Sequence, residues 1–352
     1  MLTKTVSNNL KRWNKNIMNS VWIISAAMVS LVTTALLGKW MVPFLHKINF
    51  GQTIREVGPK WHQKKNGTPT MGGFMFIVGI ALSIVIFVPI YYSTTKQDSL
   101  QMMMRTKIFG GLLMAVGFGA IGFFDDYIKV VKKRNLGLNA KQKLILQFIV
   151  AGAYLYSLYL AGSTSTTLIP FFGNVDFGIW YWIVALLGIV GMVNAVNFTD
   201  GIDGLNASVT FFASLFFMLI SGLLGIGGMS IFAAALAGGC LGFLVWNINP
   251  AKVFMGDTGS LFLGGMVCAL GFGLNLPILI LVIGFVYICE ILSVVIQVIY
   301  FKATHGKRLF KMSPIHHHFE MCGWSEHKIC RIFSLVTVIF GIVAFLLVLY
   351  GF

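Results

Sequence analysis

The sequence predicts an all-α polytopic integral membrane protein with about ten transmembrane helices. Three observations lead there. Of 352 residues, 57% are hydrophobic and only 11% are charged, against about 25% charged in a soluble domain. Mean hydropathy is +0.84. The apolar residues also come in long runs, many of them near the ~20 residues that cross a bilayer. Backbone polar groups in lipid must be satisfied inside each segment, so such runs read as helices. A water-soluble globular enzyme is excluded.

Taken in order, the stretch 1–16 is polar and basic and reads as a tail ahead of one ten-span membrane domain over 17–352. No small-residue cleavage site follows the first apolar run, which is therefore a retained span rather than a signal peptide. The apolar segments are 20–45, 71–92, 107–124, 144–162, 179–196, 207–225, 228–246, 260–275, 277–300 and 332–350. Several are Gly-rich, such as IFGGLLMAVGFGAIGFF, which suits close helix–helix packing. There is no repeat of the kind that marks the two halves of an inverted-repeat transporter. The five cysteines lack metal-type spacing and give no disulfide framework.

Basic residues orient the spans. Lys and Arg number five in 46–70, six in 125–143, one in 247–259 and six in 301–331. With ten spans these connections share one side, and the eighteen charges there exceed the seven opposite, four of which lie in the N-terminal tail. The positive-inside rule puts the basic side in the cytoplasm and both termini outside. The formal charge of +15 therefore reads as cytoplasmic loops near anionic lipid and a phosphorylated substrate, not as a nucleic-acid surface.

Eleven acids remain to be placed, and five are aspartates at the cytoplasmic ends of spans: Asp125, Asp126, Asp200, Asp203 and Asp257. Acids at that depth are costly without a partner, a metal or water, which makes them functional candidates. Solvated loops are the plain alternative. In FFDDYIKVVKKR, adjacent Asp125 and Asp126 repel each other unless a cation is near; a divalent metal or Lys129, Lys132 and Lys133 would serve. In NAVNFTDGIDGLN, a helical turn would put Asp200 and Asp203 on one face, and Gly201 and Gly204 would let a ligand approach the backbone. In NINPAKVFMGDTGSLFLGG, Asp257 and Thr258 open the eighth span beside Phe254, a place suited to phosphate or a hard cation. The run His316, His317 and His318 in KMSPIHHHFE cannot aim three rings at one metal from a regular helix, so imidazoles offered to a phosphate are the better reading than zinc. Glu290, deep in the ninth span, is either a substrate contact or a hydrogen-bond partner.

At these residues a family is recognisable. GTPTMGG (67–73), FFDDYIK (123–129), NAVNFTDGIDGLN (194–206), NPAKVFMGDTGSLFLGG (249–265) and SPIHHHFE (313–320) closely resemble, in order, the phospho-N-acetylmuramoyl-pentapeptide transferase family. That family lies within the polyprenyl-phosphate N-acetylhexosamine-1-phosphate transferases. The resemblance implies Mg²⁺-dependent transfer of phospho-MurNAc-pentapeptide from UDP-MurNAc-pentapeptide to undecaprenyl phosphate, giving lipid I and UMP in peptidoglycan synthesis. It also implies a multi-pass enzyme of the bacterial cytoplasmic (inner) membrane, a homodimer, with no nucleic-acid partner.

By motif position the resemblance implies that Asp257 ligates Mg²⁺, that Asp125 acts as base on the lipid phosphate beside Asp126, and that Asp200 lines the catalytic centre. Uridine would lie near Lys129, Gly201, Asp203, Asn247 and Phe254, with the aromatic ring on the base. Lys65, Thr70, Asn197, Gln297 and His317 would approach the sugar, diphosphate or peptide, with His316 and His318 alongside. Two alternatives stay open at this point. One is a sibling that transfers GlcNAc-1-phosphate, against which TPTMGG and SPIHHHFE speak. The other is a proton- or ion-coupled transporter, which would need acids at the bilayer midplane, where only Glu290 lies.

Overall fold

The structure, a computed structural model, describes residues 2–48, 65, 67–95, 99–132 and 137–351. Lys133 lies outside these. The described elements are α1 (Leu2–Lys47), α2 (Gly73–Thr95), α3 (Ser99–Val131), α4 (Ala140–Leu160), β1 (Thr166–Ile169), β2 (Gly173–Asp176), α5 (Ile179–Phe198), α6 (Leu205–Leu223), α7 (Gly227–Asn247), α8 (Gly256–Gly273), α9 (Ile278–Ile283), α10 (Phe285–Ala303), α11 (Ile315–Met321) and α12 (Glu326–Tyr350). Among the described residues, nine helices are long and apolar enough to cross a membrane. The predicted eighth span corresponds to α8, which has 18 residues and is buried in protein from Thr258 to Gly273. The chain is an all-α polytopic membrane protein.

Several boundaries differ from those predicted. Helix α1 begins at Leu2 and runs through the stretch read as a tail. The connection expected at 125–143 is largely helical, because α3 continues to Val131 and α4 starts at Ala140. Polarity misled the reading there: the acids and lysines ride on helix ends. The predicted single span 277–300 is two helices broken at Gly284. Helix α12 likewise starts at Glu326, before the apolar run, with Ser325 as its N-cap accepting from the Lys328 amide.

The bundle has two distinct ends. Ala27 packs on Gly238 and Gly38 on Trp246, so α1 and α7 run parallel. At the end where α1 and α7 finish, the chain carries all five candidate aspartates. At the opposite end lies an antiparallel hairpin that sequence reading did not anticipate, with Thr166 opposite Asp176. Phe171 there donates its amide to the Gly351 carbonyl. Nearby, Lys107 Nζ donates to Asn275 Oδ1 at 3.0 Å. The C-terminus is thus held far from the acids.

Helix α8 is the axis of the fold and packs most extensively on α3, then on α5 and α2. In lipid, helices are drawn together by close fit rather than by hydrophobic expulsion, so small residues mark contacts. A Cβ at Gly122 would lie 2.1 Å from the Asp257 carbonyl oxygen. Only glycine lets α3 touch the start of α8 there. One turn further on, α3 presents Asp125 and Asp126 to that same start.

Candidate active site

Three carboxylates, Asp125, Asp126 and Asp257, lie with one oxygen from each within 4.8 Å of the others. They come from two elements, the last turns of α3 and the first turn of α8. Two unit charges at that separation repel by about 3 kcal/mol at an effective dielectric of ~20, so the trio needs cations. Lys129 supplies one, its Nζ 2.5 Å from Asp125, 3.1 Å from Asp257 and 3.7 Å from Asp126. Lys143 supplies a second, 2.8 Å from Asp257 Oδ2.

Each acid is also fixed by neutral donors on one oxygen. Asp125 Oδ1 accepts from the Leu138 amide at 2.8 Å. Asp126 Oδ2 accepts from the Thr258 amide at 2.9 Å and its hydroxyl at 2.8 Å, so a carboxylate from α3 caps the N-terminus of α8. Asp257 Oδ1 accepts from Asn197 Nδ2 at 2.9 Å, and the same amide reaches Ser260 Oγ at 2.7 Å. The remaining oxygens face the lysines. This donor set, hard oxygens turned to one point already holding an ammonium, fits a divalent cation such as Mg²⁺.

Lys143 was counted in a basic stretch but not singled out. The signal was present: Asn139 and Gln142 form a capping box that opens α4 and puts Lys143 in its first turn.

Asp200 and Asp203 sit in the turn between α5 and α6 rather than on a helical face. Gly204 there has φ +76°. Burial, and then the carboxylates of Asp257, Asp126 and Asp203, push Asp200 well above the usual carboxylate range. Asp203 is heavily engaged. It accepts from Lys65 at 2.6 Å, Asn249 at 3.0 Å and the Ala251 amide at 2.9 Å. Lys65 Nζ also lies 2.6 Å from Glu326, and Glu326 accepts the Asp203 amide at 3.0 Å. Glu326, unnoticed in the sequence, is the start of α12.

The segment 69–73 runs beside 254–255. Phe254 donates to Pro69 and the Gly72 amide returns to Phe254, each at 2.8 Å. Thr70 is thereby buried next to Gly256, and Phe254, three residues before Asp257, is half-buried. Asn247 donates to the Val253 carbonyl and accepts from the Gly204 amide. Gln297 accepts from the Leu309 and Phe310 amides and donates to the Phe310 carbonyl. The three histidines on α11 diverge, as helix geometry requires. His316 meets Glu290 at 3.0 Å and His317 meets Glu320 at 2.6 Å. His318 accepts from the Lys311 amide at 3.1 Å. His316 also packs on Gly201, where a Cβ would lie 2.1 Å from Nε2.

Comparison with known proteins then extends the picture. Residues 108–275, which hold all five aspartates, match the family model for glycosyl transferase family 4. A phospho-N-acetylmuramoyl-pentapeptide-transferase of Clostridium perfringens is 45% identical over 324 residues, covering 92% of this chain and 98% of the relative. Proteins of the same name from Halalkalibacterium halodurans (46% identical; 92% and 96% covered) and Clostridium kluyveri (43%; 92% and 98%) match equally broadly.

Proposed function

We infer, from the premise that this chain belongs to the phospho-N-acetylmuramoyl-pentapeptide-transferase family, that it makes lipid I by moving phospho-MurNAc-pentapeptide from UDP-MurNAc-pentapeptide to undecaprenyl phosphate. The observation that carries the reading is the trio of carboxylates shared by Lys129 and flanked by Lys143 at one end of the bundle. One substrate is water-soluble and the other has its tail in lipid, so a site at the end of the spans serves both. Basic connections at that end support a cytoplasmic face of the bacterial inner membrane for it.

The residues divide the work. Asp257, with Asp125 and Asp126, would hold Mg²⁺. When bound, Mg²⁺ supplies charge neutralisation on the diphosphate. Lys129 and Lys143 face the same carboxylates and turn their remaining donors to phosphate oxygens, which matters because donor and acceptor are both anionic. Asp125 takes the proton from the lipid phosphate. An oxygen of that phosphate bonds the sugar-linked phosphorus, and the bond to the bridging oxygen breaks, with the electron pair leaving on UMP. Phe254 stacks on the uracil, and Asn197 keeps Asp257 in register. Asp203, Asn247 and Gln297 act on substrate through the backbone segments they hold.

The test is direct. Purified protein in lipid, given UDP-MurNAc-pentapeptide, undecaprenyl phosphate and Mg²⁺, is expected to release UMP and form lipid I. Turnover of UDP-GlcNAc instead, with none of the muramoyl substrate, would overturn the assignment.

A further inference from the structure

Helix α4 reaches the acidic cluster through Lys143, yet its first two turns are loosely held. None of the residues 139–146 is buried, and Leu144, Ile145 and Leu146 are exposed. Gln147 is the first buried residue of the helix and has no exposed surface. It is polar, and its partner is Asn194 on α5. Asn194 Nδ2 donates to Gln147 Oε1 at 2.7 Å and to the Val190 carbonyl at 2.8 Å. Gln147 Nε2 returns to Asn194 Oδ1 at 3.4 Å. The bond to Val190 decides which end of the Asn194 amide is nitrogen, and that decides the sense of Gln147.

The spacing ties this amide pair to the carboxylates. Lys143 and Gln147 are four apart on α4, and Asn194 and Asn197 are three apart on α5, so each pair shares a helix face. Because α4 leaves the acidic end of the bundle and α5 returns to it, Lys143 and Asn197 both lie on the acidic side of the amides. They meet on one side chain: Lys143 Nζ donates to Asp257 Oδ2 at 2.8 Å and Asn197 Nδ2 to Asp257 Oδ1 at 2.9 Å. The contacts close a loop through α4, α5 and the start of α8.

Apolar contacts in lipid tolerate sliding, because lipid tails are as apolar as leucine. An amide pair does not, since a slip leaves both amides unmatched in an apolar medium. One residue of slip would move Lys143 by about 1.5 Å along the α4 axis and turn it by about 100°. Its ammonium would then leave Asp257 Oδ2. A single buried polar residue sets the register of coiled coils in the same way.

We propose that Gln147 and Asn194 are positioning residues whose amide pair locks the register of α4 on α5, so that Lys143 and Asn197 meet the two oxygens of Asp257. Neither touches substrate. The inference rests on the proposed function for what the cluster binds, and on the geometry alone for the lock.

The test uses the full chain in lipid with two variants. Gln147→Met keeps chain length and leaves Asn194 its bond to Val190. Gln147→Met with Asn194→Leu removes both amides, and replacing both partners of a hydrogen bond by apolar groups can be nearly neutral for folding. The readouts are UMP release against UDP-MurNAc-pentapeptide concentration, the unfolding midpoint, and the midpoint shift that Lys143→Met causes in each background without ligand.

The double variant is expected to unfold near the wild-type midpoint, yet to need about tenfold more UDP-MurNAc-pentapeptide for half-maximal rate. Adding Lys143→Met to it should raise that KM by less than about twofold, because the lysine is already out of place. The midpoint shift from Lys143→Met should shrink in the same background. A wild-type donor KM with a full Lys143→Met effect would overturn the proposal, as would losses that track the midpoint in both variants. If wild type released no UMP while the shift still shrank without the amides, the proposed function would fail and the lock would stand. If wild type made lipid I and the shift did not shrink, the lock would fail alone.

Discussion

Replacing Lys143 by Met separates two jobs that a lysine at an acidic cluster can have. Its Nζ is 2.8 Å from Asp257 Oδ2, and the two side chains are 17% and 20% exposed. At an effective dielectric of ~20 the gross attraction is about 6 kcal/mol. Desolvation and the fixed rotamer cancel most of it, leaving a charge-assisted hydrogen bond worth about 1.5–3 kcal/mol. If Lys143 also neutralises substrate phosphate, losing it removes one of the two cations facing the diphosphate. A net loss of about 1.4 kcal/mol there is a tenfold rise in the KM for UDP-MurNAc-pentapeptide. The same loss leaves Lys129 alone to compete with a divalent cation for three carboxylates. The Mg²⁺ concentration giving half-maximal UMP release should therefore fall while donor KM rises. Titrating each ligand with the other saturating reads both. An unchanged donor KM, or a Mg²⁺ requirement that rises with it, would mean Lys143 only braces the fold.

Asp257→Asn removes the acid that both lysines share; turnover should drop by about a hundredfold or more, and Mg²⁺ should no longer raise the unfolding midpoint as it does when it binds the native state. Near-normal activity would refute the ligand role. Asp125→Asn should cut kcat strongly while UMP binding by calorimetry stays within about threefold; equal losses in both would point to a binding role instead. Phe254→Ala should weaken UMP binding by about tenfold or more, since base stacking on an aromatic ring is worth about 1–3 kcal/mol. Asp200 has its pKa raised on folding, so its contribution to stability is fully present at low pH and is lost as pH rises through the folded value. In chelator, the wild type should therefore lose stability relative to Asp200→Asn as pH rises above the unfolded carboxylate value of 3.8, and parallel profiles would contradict the burial argument.

Much of this architecture was legible because lipid is a severe solvent. Span length, helical class and the two-sided division of charge all follow from what a bilayer tolerates, and the ten predicted segments fall on helices. The five aspartates were legible for the same reason, since a carboxylate at a span end is conspicuous. What remained hidden depends on pairs of distant segments. Lys143 and Glu326 are ordinary surface charges by sequence, and only packing brings them to Asp257 and Lys65. Glu290 stood out as an anomaly, but nothing in a run of three histidines says which ring turns inward. The break at Gly284 was masked because apolar residues continue on both sides of it.

Motif residues that read alike in sequence also prove to do two physically different things. Around the turn 199–204, Asp203 binds Lys65, Asn249 and Ala251. The Asp203 carbonyl accepts from Cys330 Sγ at 3.2 Å, and the Gly204 amide is taken by Asn247. These groups have their hydrogen-bonding capacity spent on the chain, which is the cheapest state for polar atoms near lipid. In the acidic cluster, neutral donors hold one oxygen of each acid, and the other oxygens face Lys129 and Lys143, charge against charge. Such a cluster can trade internal partners for a metal and a diphosphate with little loss, whereas an amide locked to backbone cannot. Being exchangeable, rather than merely being polar and near, is what the proposed function asks of groups that meet substrate, and it would confine the chemistry to the junction of α3, α4 and α8.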